Sequence, residues 1–130
     1  MKTLLKAAGA VASAAALTLA AGGIAGASPA TSGSATYYTE AGYGACGTQL
    51  NASTDLLVAA PAALWTTPNP NNDPLCTQSI RVTYNGRTIT VPIRDKCPTC
   101  DPSKIDLSLP AFQSLADPNL GIIQLDWEIR

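Results

Sequence analysis

The stretch SIRVTYNGRTITVPIRD, Ser79 to Asp95, decides the fold. Ile80, Val82 and Tyr84 alternate with Arg81 and Thr83, and after Asn85-Gly86 a second run sets Ile89, Val91 and Ile93 against Thr88, Thr90 and Arg94. A period of two with one apolar face marks a half-buried strand, and Asn-Gly supplies the two positive-φ residues of a tight hairpin. Pro92 falls on the polar face and donates no ladder hydrogen bond, so this end of the strand is predicted to lie at a sheet edge or near a bulge. The same parity carries Asp95 to the apolar face, which predicts a carboxylate pointing inward at the end of a core strand.

Outward from the hairpin, the C-terminal GIIQLDWEI alternates Ile123, Leu125, Trp127 and Ile129 against Gln124, Asp126 and Glu128, a last strand with its charges outside. SATYYT, Ser34 to Thr39, has strand composition, and the EAGYGACG that follows is a glycine-laced loop anchored by Cys46. DLLVAAPAALW reads as a buried strand broken at Pro61, with one helical turn before Trp65; Thr66 to Asp73 holds only Thr, Pro, Asn and Asp and is loop. Ser108 is expected to cap a short helix over Leu109 to Ala116, with Pro110 in its first turn and Asp117-Pro118 at its end. Five or six short strands with one small helix indicate an all-β chain folded as a small barrel.

At the N-terminus, Lys2 and Lys6 lead an apolar run from Ala7 to about Ala21 that ends in Ala25-Gly26-Ala27, the pattern of a cleaved secretory signal over residues 1–27. Cleavage before Ser28 leaves 103 residues, divided into a flexible tail over 28–33 and one domain over 34–130. No second apolar span follows, so a membrane anchor is not expected. Loss of the two lysines leaves six cations against nine acids, a net charge of −3 with no histidine, which argues against nucleic acid or anionic lipid as a partner. A core of this size benefits from covalent staples.

Four cysteines, Cys46, Cys76, Cys97 and Cys100, permit three pairings. Cys46–Cys76 with Cys97–Cys100 is favoured: the first closes a long loop, contributing about 3.5 to 4 kcal/mol on the chain-entropy model, and the second pins a local turn. Structural zinc sites usually combine two closely spaced couples, whereas Cys46 and Cys76 stand alone and no histidine completes a set. A thioredoxin-like redox pair opens a helix, but Cys100 is followed by Asp101-Pro102, which suits a turn. In an exported chain the structural disulfide is the simplest reading, and neither metal nor cofactor is expected.

ATYY (Ala35 to Tyr38), GACG (Gly44 to Gly47), RDKCPTC (Arg94 to Cys100) and IDLSLPAFQSLA (Ile105 to Ala116) together resemble, in that order, the double-psi β-barrel of the expansins, barwin-like proteins and rare lipoprotein A. The resemblance covers nearly the whole mature chain and implies a six-stranded double-psi barrel with one or two short helices. In expansins an acid at the end of the long strand and the acid of a His-Phe-Asp-Leu stretch flank a polysaccharide groove; these match Asp95 and Asp106, and Thr36 and Tyr38 match groove-wall positions. The family's histidine before the second acid is replaced here by Lys104, and where related endoglucanases carry another acid by the first strand, this chain has Thr39 and Glu40 without their motif. GYGACGT, LWTTPNPNNDPLC, IRDKCP and IDLSLPAF are also similar to the small secreted bacterial papain inhibitors, single double-psi barrels. That likeness implies a secreted monomer that blocks papain-like cysteine proteases, with some reach into trypsin-like enzymes, rather than an enzyme. The alternative it leaves is a non-hydrolytic cell-wall glycan binder, with lytic cleavage third.

Two surfaces are candidates for the protease. In LWTTPNPNNDPLC, Pro68, Pro70 and Pro74 restrict the chain around Asn69 while Cys76 tethers its end, so a protruding loop would lose little entropy on binding; Leu64 and Trp65 are its apolar anchors, unless Trp65 plugs one end of the barrel. Tyr43, between Gly42 and Gly44, is a second wedge, unless the glycines serve only to place Cys46. Asp106, flanked by Ile105 and Leu107 in a barrel interior, is either a groove acid or an acceptor for the amides of the turn after Cys100; Asp95 has Arg94, Lys96 and Lys104 as prospective partners. Asn51-Ala52-Ser53 matches a glycosylation acceptor.

Overall fold

A computed structural model describes residues 29–130; the signal segment lies outside them. The Asn-Gly hairpin forms as read, with β5 (Ser79–Tyr84) and β6 (Arg87–Cys97) paired from Ser79 opposite Pro92 to Tyr84 opposite Arg87, and with Asn85 and Gly86 at φ 47° and 80°. The other strands are β1 (Thr31–Tyr38), β2 (Ala41–Tyr43), β3 (Gln49–Asn51), β4 (Val58–Pro61), β7 (Lys104–Ser108) and β8 (Ile123–Ile129). Six of the eight close a barrel in the order β1-β7-β4-β6-β5-β8, parallel at β1/β7 and β4/β6 and antiparallel elsewhere, while β2 and β3 make a separate two-stranded ribbon.

Closure leaves the barrel without an edge, so Pro92 needs another accommodation. It lies just before β4 joins β6 at Ile93, where β6 has β5 as its one neighbour, and beside a bulge. Strand β1 starts at Thr31, three residues before the expected start of the domain. Thr31, Ser32 and Gly33 have weak strand composition, but β8 offers them a ladder opposite Trp127, Asp126 and Leu125, and pairing overrides propensity.

Inside the barrel, Ile80, Val82, Val91, Ile93, Ile105, Leu107, Leu125 and Trp127 form one buried cluster. Helix α1 (Leu109–Gln113) lays Phe112 on it, with the ring centroid 4.9 Å from that of Tyr37. The helix ends sooner than the expected Ala116, and the Ser108 hydroxyl does not cap it. Fully buried at the end of β7, Ser108 Oγ instead accepts the Leu57 N–H at 3.2 Å. Both disulfides join the favoured partners, Cys46 to Cys76 and Cys97 to Cys100, with Cα separations of 5.7 and 5.4 Å.

Candidate functional site

The bulge decides where the acids go. Val58 pairs with Ile93 but Ala59 pairs with Asp95, so β6 carries one extra residue, Arg94, against β4. An extra residue reverses the alternation that follows it. Asp95 therefore leaves the apolar face of Val91 and Ile93 and stands beside Ala59, outside the barrel, which corrects the inward carboxylate expected from parity. Asp106 needs no bulge to reach the same face: Ile105 and Leu107 point into the core cluster, and strict alternation turns Asp106 outward. The cross-strand register then aligns Thr36, Asp106, Ala59 and Asp95 in one transverse row over β1, β7, β4 and β6.

Along this row the two carboxylates differ. Asp106 Oδ1 accepts the Thr36 hydroxyl at 2.9 Å; burial, only partly offset by that bond, holds its pKa above the usual carboxylate value. The amides after Cys100 that were its alternative partners go elsewhere: Asp101 Oδ1 accepts the Ser103 N–H and hydroxyl, both at 2.8 Å. Among the described residues Asp95 pairs with no cation. Its Oδ2 accepts the Tyr38 hydroxyl at 2.9 Å, and its Oδ1 accepts the N–H of Ala45 at 3.0 Å and of Lys96 at 2.9 Å. Burial, and then the charge of Asp95, push the Tyr38 phenol far above its ordinary pKa, so it remains a donor. Tyr38, Glu40, Lys96, Pro98 and the two acids line a cleft of about 260 Å³.

Beside the cleft the chain builds a rim. The β2–β3 ribbon presents Tyr43, 77% exposed, and the Cys46–Cys76 disulfide ties the ribbon's loop to the Pro/Asn segment. The two stretches read separately as protease wedges thus share one side of the molecule. Gly44 sits so close to β6 that a Cβ would come within 2.6 Å of the Arg94 carbonyl oxygen, and one at Gly47 would come within 2.8 Å of the Asn71 amide.

The Pro/Asn segment is organised by Asp73, a residue the sequence reading did not single out. Although 3% exposed, its carboxylate accepts the N–H of Thr66, Thr67 and Leu75 at 2.7, 3.0 and 3.0 Å and the Thr67 hydroxyl at 3.1 Å. Burial opposes the charge, but these four donors outweigh it and lower the Asp73 pKa. A signal was present: Asn69-Pro70, Asp73-Pro74 and Asp117-Pro118 repeat one pattern, an Asx side chain capping a 3₁₀ turn that Pro opens. Pro68 and Asn69 are exposed and Pro70 half-buried. Trp65 does not project from the loop. It packs against the core with Leu64, and its indole N–H donates to the Ala60 carbonyl at 3.2 Å.

Among known proteins, the chain is 55% identical over 123 residues to the papain inhibitor of Streptomyces mobaraensis, an alignment covering 91% of this chain and 86% of that one. The solved Streptomyces papain inhibitor superposes with a TM-score of 0.78 at 56% identity, over 80% of this chain and 96% of that one. The Clavibacter michiganensis expansin solved with cellohexaose gives 0.65 at 28% identity; the match covers 78% of this chain but 51% of the expansin. The family model described as "Lytic transglycolase" matches residues 30–127. That match takes in five barrel strands whole, β8 as far as Trp127, and the outer-face row, and the chain belongs to this family of double-psi β-barrels.

Proposed function

We propose that this protein is an extracellular, monomeric inhibitor of papain-like cysteine proteases that acts by binding and not by cleavage. The observation that carries the reading is the 55% identity to the Streptomyces mobaraensis papain inhibitor across nearly the whole length of both chains. Two disulfides suit an oxidising compartment. The surface offered to the protease is the rim: Tyr43 as an exposed aromatic on a glycine-flanked ribbon, with Pro68, Asn69 and Pro70 alongside on a stapled loop. Leu64 and Trp65 support that loop from beneath.

Titration of papain with the oxidised mature protein, read with a chromogenic substrate, tests this directly. Stoichiometric loss of activity is expected, and unchanged activity at a large excess of protein rejects it. Replacing Tyr43 with Ala should weaken inhibition by about 2 kcal/mol, roughly thirtyfold, without lowering thermal stability. An unchanged inhibition constant would move the contact away from the ribbon.

One observation favours glycan binding as the second reading. Asp106 and Tyr38 face a cleft on the wall of a barrel that resembles an expansin solved with cellohexaose. A pull-down on cellulose and peptidoglycan separates the two: pelleting without papain inhibition would favour the cleft.

A further inference from the structure

We infer that Asp95, the acid at the end of β6, is a positioning residue for the inhibitory rim, working with Arg94 to clamp the ribbon that carries Tyr43. This rests on the inhibitor reading above. Because of the bulge, Arg94 and Asp95 are consecutive residues that both reach the same neighbour. The guanidinium of Arg94 donates from Nη2 to Thr48 Oγ1 at 2.9 Å and to the Gln49 carbonyl at 2.8 Å, holding the limb that leads into β3. Asp95 Oδ1 takes the N–H of Ala45, two residues after Tyr43, on the other limb. Between them the Arg94 carbonyl accepts the Cys46 N–H at 3.4 Å. One two-residue step of β6 thus holds both sides of the loop joining β2 to β3, and Gly44 permits the close approach.

The ribbon needs such a clamp. Residues 41–43 are exposed throughout, and of β3 only Leu50 is buried, in a small cluster with Ala52 and Leu57 apart from the barrel core. Packing alone therefore fixes Tyr43 poorly. A wedge already ordered before it meets the protease loses less conformational entropy on binding, and ordering it is what three donors on Asp95 and two acceptors for Arg94 achieve. The same three donors occupy the carboxylate on both oxygens, which removes it from the free-acid role that its place in the outer-face row would suggest.

Amide exchange and papain titration of the same oxidised mature variants test the clamp. In Asp95→Ala the Ala45 and Cys46 amides should exchange about tenfold or more faster while those of β5 and β6 hold their protection, and the inhibition constant should rise about tenfold. Asp95→Asn keeps an acceptor for the Ala45 N–H and should recover most of that loss. In a Tyr43→Ala background, Asp95→Ala should cost less than about threefold, because its effect passes through the residue already removed. Arg94→Ala, which opens the opposite limb, should repeat the pattern and serves if Asp95→Ala does not fold. Unchanged Ala45 exchange, an unchanged inhibition constant, or a full cost in the Tyr43→Ala background would each overturn the inference. If the unmodified protein leaves papain active, the inhibitor reading itself falls, and the Ala45 exchange rate still decides whether Asp95 orders the ribbon.

Discussion

Between the barrel interior and the rim that carries Tyr43, the same chain changes its means of cohesion. The interior is one apolar cluster in which Phe112, Ile80, Ile93, Ile105 and Leu107 are essentially excluded from water. The rim has almost none of this. Its ribbon and its Pro/Asn loop are held by a disulfide, by Asp73 with four donors, and by the Arg94–Asp95 step. Hydrophobic burial is non-directional and tolerates neighbours of similar volume, whereas each rim bond depends on particular atoms at particular positions. The barrel can thus be kept while a rim is rebuilt, so one architecture can carry different binding surfaces.

The largest effect should come from the interior. Phe112→Ala removes a fully buried ring beside Tyr37 and should cost about 4 kcal/mol in urea unfolding, yet the protein that remains folded should inhibit papain as before. Next, replacing Cys46 and Cys76 together with Ser should cost about 3.5 kcal/mol by releasing the long loop in the unfolded chain. Here inhibition should fall as well, by about tenfold or more, since the staple joins the two halves of the rim. If the cavity variant lost inhibition as steeply as the unstapled one at equal folded fraction, interior and rim would not be separable.

The sequence made the interior legible because its pattern is repetitive. Alternation through β5, β6 and β8 and the Asn-Gly turn define strands that need no knowledge of their partners. The outer-face row was legible in membership but not in placement. Asp95, Asp106, Thr36 and Tyr38 do come together, yet the face that Asp95 occupies depends on one extra residue opposite β4, and a bulge is set by pairing partners distant in sequence. Trp65 shows the same limit. A Trp before a Pro/Asn run reads equally well as a projecting anchor or a plug, and the Ala60 carbonyl within reach of its indole N–H settles the conformation. Asp73 escaped notice because an acid in a polar loop looks like solvent-facing surface until its donors are counted.

The smallest expected effect distinguishes the wall from the rim on the wall's own terms. Asp106 is a half-buried carboxyl whose pKa burial raises, so the folded state holds its proton more tightly than the unfolded chain does. Below the ordinary value of 3.8 both states are protonated and the group contributes nothing; as pH rises through the raised folded value the charge becomes a cost, which persists at neutral pH. Asp106→Asn keeps an acceptor for the Thr36 hydroxyl and removes that charge. It should therefore raise the thermal midpoint slightly at pH 7 and leave it unchanged near pH 3, with equal midpoints at pH 7 counting against the burial cost. Papain inhibition should not change, because Asp106 bonds to β1 and not to the ribbon. Retention on insoluble wall polysaccharide should fall only if the cleft binds glycan. A variant that is more stable, inhibits equally and pellets equally would mean that the acid persists at a stability cost and that neither papain nor wall polysaccharide depends on it.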